Sequence, residues 1–337
     1  MLNYYLEDNI VYSSRPAYAI YIIQLSMTML EATFEQQLNR YFTNCKWTQE
    51  GREFKLQGPG LSYLGLDQNL SANLGRFSAR DLSVSDVADF HEAKDGYNLC
   101  FEDTWSLLFW LRYLKANPDV KKINIIHLDD HTDLMPPLVY KEHGEYFQVT
   151  DDKKINFDDP ESIPGFIREG SINLGSFIAP LIFFLERVNI FHLRKELSPD
   201  GPTRQNMVES YINDFPYLDK DRISITVTDK NDEPAKGFYY RGNDLRSLIG
   251  ELNGDPTFLH IDLDYFLNQF NGNHRNDAPV NMITHVELEE EIRQICEELS
   301  RVRSQIVDVT IATSPGFCPS THWEFLIDNF MKYYNKI

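Results

Sequence analysis

The chain of 337 residues has no apolar run near the ~20 residues that span a bilayer. Its strongest run, "APLIFFL" at 179–185, has the length of a core helix. The first residues, "MLNYYLEDNIVYSSRP", lack a basic segment followed by a long apolar one, which predicts no signal peptide. Cysteine is scarce: Cys45, Cys100, Cys296 and Cys318 form no CxxC pair. A zinc knuckle or redox dithiol is therefore not expected, and the scattered thiols predict a reducing, cytoplasmic setting. Positive charge is also short, with 32 Lys and Arg against 51 Asp and Glu and a net charge of −19. That argues against a nucleic-acid partner, whose phosphates require clustered basic side chains. It fits solubility alone or an acidic cleft that attracts a cationic substrate. Internal repeats and low-complexity segments are absent.

What is present is an alternation of strands and helices. Residues 1–95 read poorly, with a strand at 17–25, an amphipathic helix at 28–42 and a loop at 57–65. From residue 100 the pattern sharpens. A helix at 102–116 precedes a buried strand at 123–128. Residues 140–170 are polar and aperiodic and predict a long loop or lid. Helices are expected at 175–188, 204–215, 244–252, 286–302 and 322–335, and strands at 189–193, 222–229, 257–266 and 305–315. Such alternation predicts a three-layer α/β/α, doubly wound, mostly parallel sheet. We read the whole chain, 1–337, as a single domain with a divergent N-terminal part. Ligands of such sheets bind outside the carboxyl ends of the strands.

Two clusters fall at those ends. The first is "DDHTD": Asp129, Asp130, His131, Thr132 and Asp133. The second is "HIDLD", with His260, Asp262 and Asp264. In an extended segment alternate residues share a face, so Asp129, His131 and Asp133 point one way and Asp130 and Thr132 the other. Either cluster alone reads as a capped turn or a strand end. Together they place four acids and an imidazole in one cleft, where anions repel unless protons or cations intervene. Carboxylate-rich ligation with one or two imidazoles suits Mn²⁺, and suits Zn²⁺ or Fe²⁺ less well. Two such ions would activate a shared water.

"LDDHTD" resembles the D-x-H-x-D motif of the arginase family, and "IDLD" resembles its D-x-D partner, in the same order and with similarly wide separation. "INLGSFIAPLIF" and "DVTIATSPGFCP" are similar to looser motifs of a divergent arginase-like family that includes peptide arginases. The resemblance covers roughly residues 100–320. It implies an arginase/deacetylase-like fold and two Mn²⁺ ions. Asp129 and Asp262 would bridge them, His131 and Asp264 would complete one, and Asp133 would bind the other. It implies hydrolysis of arginine side chains in a precursor peptide to ornithine and urea.

The departures from that family shape the reading. Arginases carry a further histidine ligand where this chain has "CFEDTWSLL". Asp103 is the candidate there, or else a helix N-cap, with Glu102 second. "KEHGEY" makes His143 the candidate proton shuttle, or an ordinary surface histidine. Leu134 and Met135 replace the Asn-bearing segment that binds a free α-carboxylate, which favours an arginine within a peptide. No acid lies in "TIATSP" to hold the guanidinium; Asp308 is upstream. His127 and His260 lie two residues before the bridging aspartates, either orienting ligands or packed as core histidines. His192 and His322 have no motif around them. Competing readings are a small-molecule guanidino ureohydrolase, a metal-dependent deacetylase and a non-catalytic metal-stabilised binding protein.

Overall fold

The computed structural model describes residues 20–24, 46–50, 53–57, 61–77, 81–149, 152–195, 201–213, 220–230, 234–270 and 283–336. The helix expected at 28–42 lies outside them. Near the N-terminus, β1 (Ile20–Gln24), β2 (Lys46–Glu50) and β3 (Glu53–Gln57) form an antiparallel sheet of order β1-β3-β2.

The main sheet has twelve strands. They are β4 (His91–Ala93), β5 (Asn98–Cys100), β6 (Lys122–Leu128), β7 (Val139–Glu142), β8 (Glu145–Gln148) and β9 (Lys154–Ile155). The remainder are β10 (Arg187–Leu193), β11 (Thr203–Ile212), β12 (Arg222–Thr228), β13 (Phe238–Gly242), β14 (Thr257–Asp262) and β15 (Ile306–Ala312). Their order is β4-β5-β15-β14-β6-β10-β13-β11-β12-β7-β8-β9. The central block from β5 to β13 is parallel, and both flanks are antiparallel. The fold is thus α/β with a large mixed sheet around a parallel centre.

The central strands are apolar because both their faces are covered. On one face Ile126, Leu128, Phe191, Leu193, Leu259 and Ile261 join the helices His285–Leu299 and Ser320–Tyr334 in one core. The first of these helices starts at a capping box, in which Thr284 Oγ1 accepts from the Glu287 N–H at 3.3 Å and Glu287 Oε2 accepts from the Thr284 N–H at 2.8 Å. Leu288, Ile292, Ile295 and Leu299 then recur at helical spacing and fill its buried side. On the opposite face Ile123, Ile125, Val188, Ile190 and Phe258 pack on the helices Ser106–Ala116 and Ala179–Phe184 through Trp110, Leu111, Leu181 and Ile182. Helices on both faces agree with a three-layer arrangement.

Within the parallel block the strand order reverses once. From β6 the chain moves outward to β10 and β13; it then returns to β14, on the other side of β6, and continues to β15. The gap between β6 and β14 is therefore the crevice where open α/β sheets take ligands. Both acidic motifs emerge there.

Three expectations change. Of the helix expected at 204–215, the described residues 204–213 are not helical: β11 pairs antiparallel with both β12 and β13. Val208, Tyr211 and Ile212 have helical spacing, but β-branched and aromatic side chains also suit strands, and two neighbouring ladders outweigh the local pattern. Residues 140–170, expected as a loop or lid, contain β8, β9, most of β7 and the helix Ile163–Arg168. The helix expected at 175–188 is confined to Ala179–Phe184, because β10 already begins at Arg187.

The seam between the parallel block and the antiparallel flank depends on Gly237. Its φ is +135°, and an added Cβ would stand 1.8 Å from the Val188 carbonyl oxygen. The Val188 N–H donates to Lys236 O at 2.8 Å and the Met207 N–H to Gly237 O at 2.9 Å. Gly237→Ala is expected to cost more than about 3 kcal/mol, since clash and strain coincide. Urea unfolding measures this; a loss under about 1 kcal/mol would contradict the close approach.

Candidate metal centre

The C-terminal end of β6 releases the chain into the irregular segment 129–138. Asp133 has φ +49°, a left-handed torsion that aspartate tolerates better than most residues. The Met135 N–H donates to Gly175 O at 2.7 Å and pins this loop to the "NLGSF" segment. The shared orientation of Asp129, His131 and Asp133 thus comes from a turned loop rather than from strand alternation. Asp130 does point elsewhere: its Oδ2 accepts from Asn268 Nδ2 at 2.9 Å and its Oδ1 faces Arg194 at 3.4 Å.

The second motif enters from β14. Asp262 ends the strand, and Asp264 sits in the 3-10 turn Leu263–Tyr265. Asp264 accepts from the Asp130 N–H at 3.2 Å and from Ser314 Oγ at 3.2 Å, and it lies 3.0 Å from His131 Nδ1. Asp103 arrives from the 3-10 turn Asp103–Trp105 that opens the helix Ser106–Ala116. Glu102, not Asp103, holds the N-cap position of that turn, and Asp103 Oδ1 accepts from Thr104 Oγ1 at 3.5 Å. One oxygen each from Asp103, Asp129 and Asp262 fall within 4.8 Å of one another. Ligand atoms of Asp129, His131 and Asp264 form a second such group, and those of His127, Asp129 and His260 a third.

All five carboxylates are buried: Asp129 is 0% exposed and Asp103, the most open, 6%. Burial, then neighbouring acids, pushes up the proton affinities of Asp103, Asp129, Asp133 and Asp262. Asp103 rises to about 7 through burial and the charges of Glu102 and Asp264. Asp129, Asp133 and Asp262 are driven well above the ordinary carboxylate range by burial first, then by each other, Asp103 and Asp264. Burial lowers the His131 imidazole, but hydrogen bonding and charge from Asp264 outweigh this and raise it to about 9. The one nearby cation among the charges acting on Asp103 and Asp133 is His131; the rest are acids.

Donor chemistry and open valences fit a divalent ion. Asp129 Oδ2 and Asp133 Oδ2 are buried with no hydrogen-bond partner. Such atoms cost about 1–3 kcal/mol each, more when charged, unless something binds them. Oxygen-rich donors with one imidazole match a hard or borderline dication.

Beneath the carboxylates runs a row of histidines. His192 of β10, His127 of β6 and His260 of β14 stand in register on three adjacent strands. His192 Nε2–H donates to the Asp129 carbonyl at 2.9 Å, and its Nδ1 takes the Tyr239 hydroxyl. It therefore fixes the backbone of Asp129. Sequence reading found no role for His192 because strand register is not visible in a single chain. Ser314, at φ +53° in "ATSPGF", was likewise missed.

Other candidates lie apart. His143 occupies the turn between β7 and β8, with φ +50°, followed by Gly144 at φ +83°. It is exposed, whereas the acids are buried. Asp308 lies on the same sheet face as Asp262 but four residues further down the neighbouring strand, opposite Phe258. That is roughly 13 Å from the carboxyl end, and Asn98 Nδ2 and Thr310 Oγ1 occupy its oxygens at 2.8 Å each. Asp308 does not reach the acids as a guanidinium clamp.

The raised affinities set a pH dependence. A carboxyl whose folded value exceeds its unfolded one adds stability at low pH and loses it as pH climbs toward the folded value. For Asp103 that window runs from 3.8 to about 7. Chelated protein should therefore melt lower at pH 8 than at pH 5, with Mn²⁺ raising the melting temperature more at pH 8. Asp129→Asn should flatten the trend; a chelated protein more stable at pH 8 would contradict the electrostatics. Compared with known proteins, the chain matches no family model and no curated protein.

Proposed function

We propose that the protein is a binuclear manganese hydrolase that converts arginine side chains of a precursor peptide to ornithine, with release of urea. The observation that carries this reading is the convergence of Asp103, Asp129 and Asp262, from three separate parts of the chain, at the reversal point of the sheet. In this reading an arginase/deacetylase-like fold holds the ions. Asp129 and Asp262 would be shared between them, His131 and Asp264 would complete one, and Asp103 and Asp133 would complete the other. Manganese bound there would acidify a water toward neutrality and make it a nucleophile for an electrophilic carbon.

The chain's own groups then do three things. The acids hold a guanidinium near the ions by charge, since a cation is attracted to a cleft of this sign. His131, held by Asp264 at 3.0 Å, keeps its ring fixed at the mouth, where Phe317 meets it edge-on at 4.9 Å. The loop after Asp133 selects the form of substrate. Leu134 packs against the core, while Met135 is 61% exposed and lies over Gly175, beside exposed Leu174. An apolar rim offers no donor for a free α-carboxylate but accommodates a peptide of varied sequence.

The test is intact-mass analysis of an arginine-containing precursor peptide incubated with protein and Mn²⁺. Each conversion removes CN₂H₂, about 42 Da, and releases one urea, as hydrolysis of a guanidinium requires. Asp129→Asn and Asp262→Asn should each lower turnover by at least about 10³-fold. Urea from agmatine or free arginine, with no change in the peptide, would move the assignment to a small-molecule ureohydrolase. Metal uptake without turnover of any guanidino compound would favour a metal-stabilised binding protein.

A further inference from the structure

We propose that His127 is a metal ligand, with its Nε2 joining Asp129 and Asp133 on one ion. The inference rests on the metal-centre reading and adds a residue to it. Three observations converge.

The first is unmet valence. His127 is 0% exposed, and its Nε2 has no hydrogen-bond partner. That nitrogen lies 3.4 Å from Asp133 Oδ2 and 3.7 Å from Asp129 Oδ2, and both oxygens are themselves unpaired. The separations are long for a hydrogen bond. They suit atoms sharing one ion: donors at roughly 2.0–2.2 Å from a common centre stand about 3.0–3.6 Å apart.

The second is contrast within the row. A structural core histidine satisfies both nitrogens, as His192 does with Tyr239 and the Asp129 carbonyl. His127, its in-register neighbour, satisfies one.

The third is tautomer. His127 Nδ1 and His260 Nδ1 are 3.0 Å apart, so one donates to the other. His260 Nε2 also has no hydrogen-bond partner. Its ring is surrounded by aromatics, with Trp110 at 5.7 Å and 75° and Phe177 at 5.2 Å. An N–H is tolerated against an electron-rich ring face, whereas a bare lone pair is repelled. We assign the Nε2 proton to His260, so that its Nδ1 accepts. His127 then donates from Nδ1, which leaves a bare Nε2 lone pair facing two carboxylate oxygens. Three lone pairs in one buried space are relieved by a carboxyl proton or by a cation between them, and the separations above suit a shared cation. His260 acts as the positioning residue that fixes this tautomer.

The imidazole that the "CFEDTW" segment lacks is thus supplied by β6, two residues before Asp129. The ion on the Asp133 side would have mixed nitrogen and oxygen ligation instead of carboxylates alone.

The experiment compares wild type, His127→Asn and His127→Gln after chelation and reconstitution with Mn²⁺, by metal analysis and by electron spin-echo modulation of imidazole nitrogens. Asn retains a donor near the Nδ1 position but no ligand at Nε2; Gln places an amide oxygen near Nε2. Wild type should hold about two ions and show two imidazole nitrogens, from His131 and His127. His127→Asn should show one nitrogen, with the affinity of one ion down at least about tenfold. His127→Gln should also show one nitrogen while retaining more metal than the Asn variant. Matching melting temperatures in chelator confirm that the variants fold, and the Gln variant decides the case if the Asn variant does not. Wild-type nitrogen coupling in a folded variant would overturn the assignment of His127 alone. Failure of wild type to take up metal would overturn the metal-centre reading with it.

Discussion

The mutual repulsion of five buried aspartates is the constraint to which the rest of the structure responds. Carboxylates packed this closely, and screened from water, cannot all be ionised without compensating charge. The fold makes no attempt to disperse them. It delivers Asp103, Asp129, Asp133, Asp262 and Asp264 to one crevice and surrounds them with a rigid sheet. A chain under selection for stability alone would fill such a place with apolar side chains, as it does elsewhere on the same strands. Buried Asp and His groups arranged in this way could hold a metal ion.

The scaffold explains how distant acids meet. A parallel strand leaves the sheet at its carboxyl end, so every motif that follows such a strand emerges on one edge. Reversal of strand order between β6 and β14 parts the connecting segments and opens a crevice between them. The helix Ser106–Ala116 then brings Asp103 to the same edge from β5. The histidine row lies one pleat repeat deeper and ties the carboxylate layer to the core: Asp129 is held through its carbonyl by His192 and through its Oδ1 by the His131 N–H at 2.6 Å.

Much of this was legible in the sequence, and what was not had physical causes. The acidic motifs were readable because each follows an uninterrupted apolar strand, a purely local pattern. The opposite orientation of Asp130 was expected from strand alternation, but it arises in the turned segment after β6. The role of the histidines was not readable. His127, His192 and His260 meet only through register between strands, which depends on the whole sheet. The strand β11 was hidden by helical spacing of Val208, Tyr211 and Ile212, and β13 is short and follows Gly237. The span at 140–170 appeared shapeless because its strands are two to four residues long and only partly buried.

The left-handed torsion at Asp133 has an evolutionary consequence. Glycine would relax the backbone there but bring no carboxylate, and glutamate would keep the charge while resisting the torsion and displacing it by a methylene. Asparagine would keep the shape and forfeit the anion. No single replacement preserves both the torsion and the carboxylate. Drift at the far hairpins can be tolerated one residue at a time, but this corner can change only together with its partners.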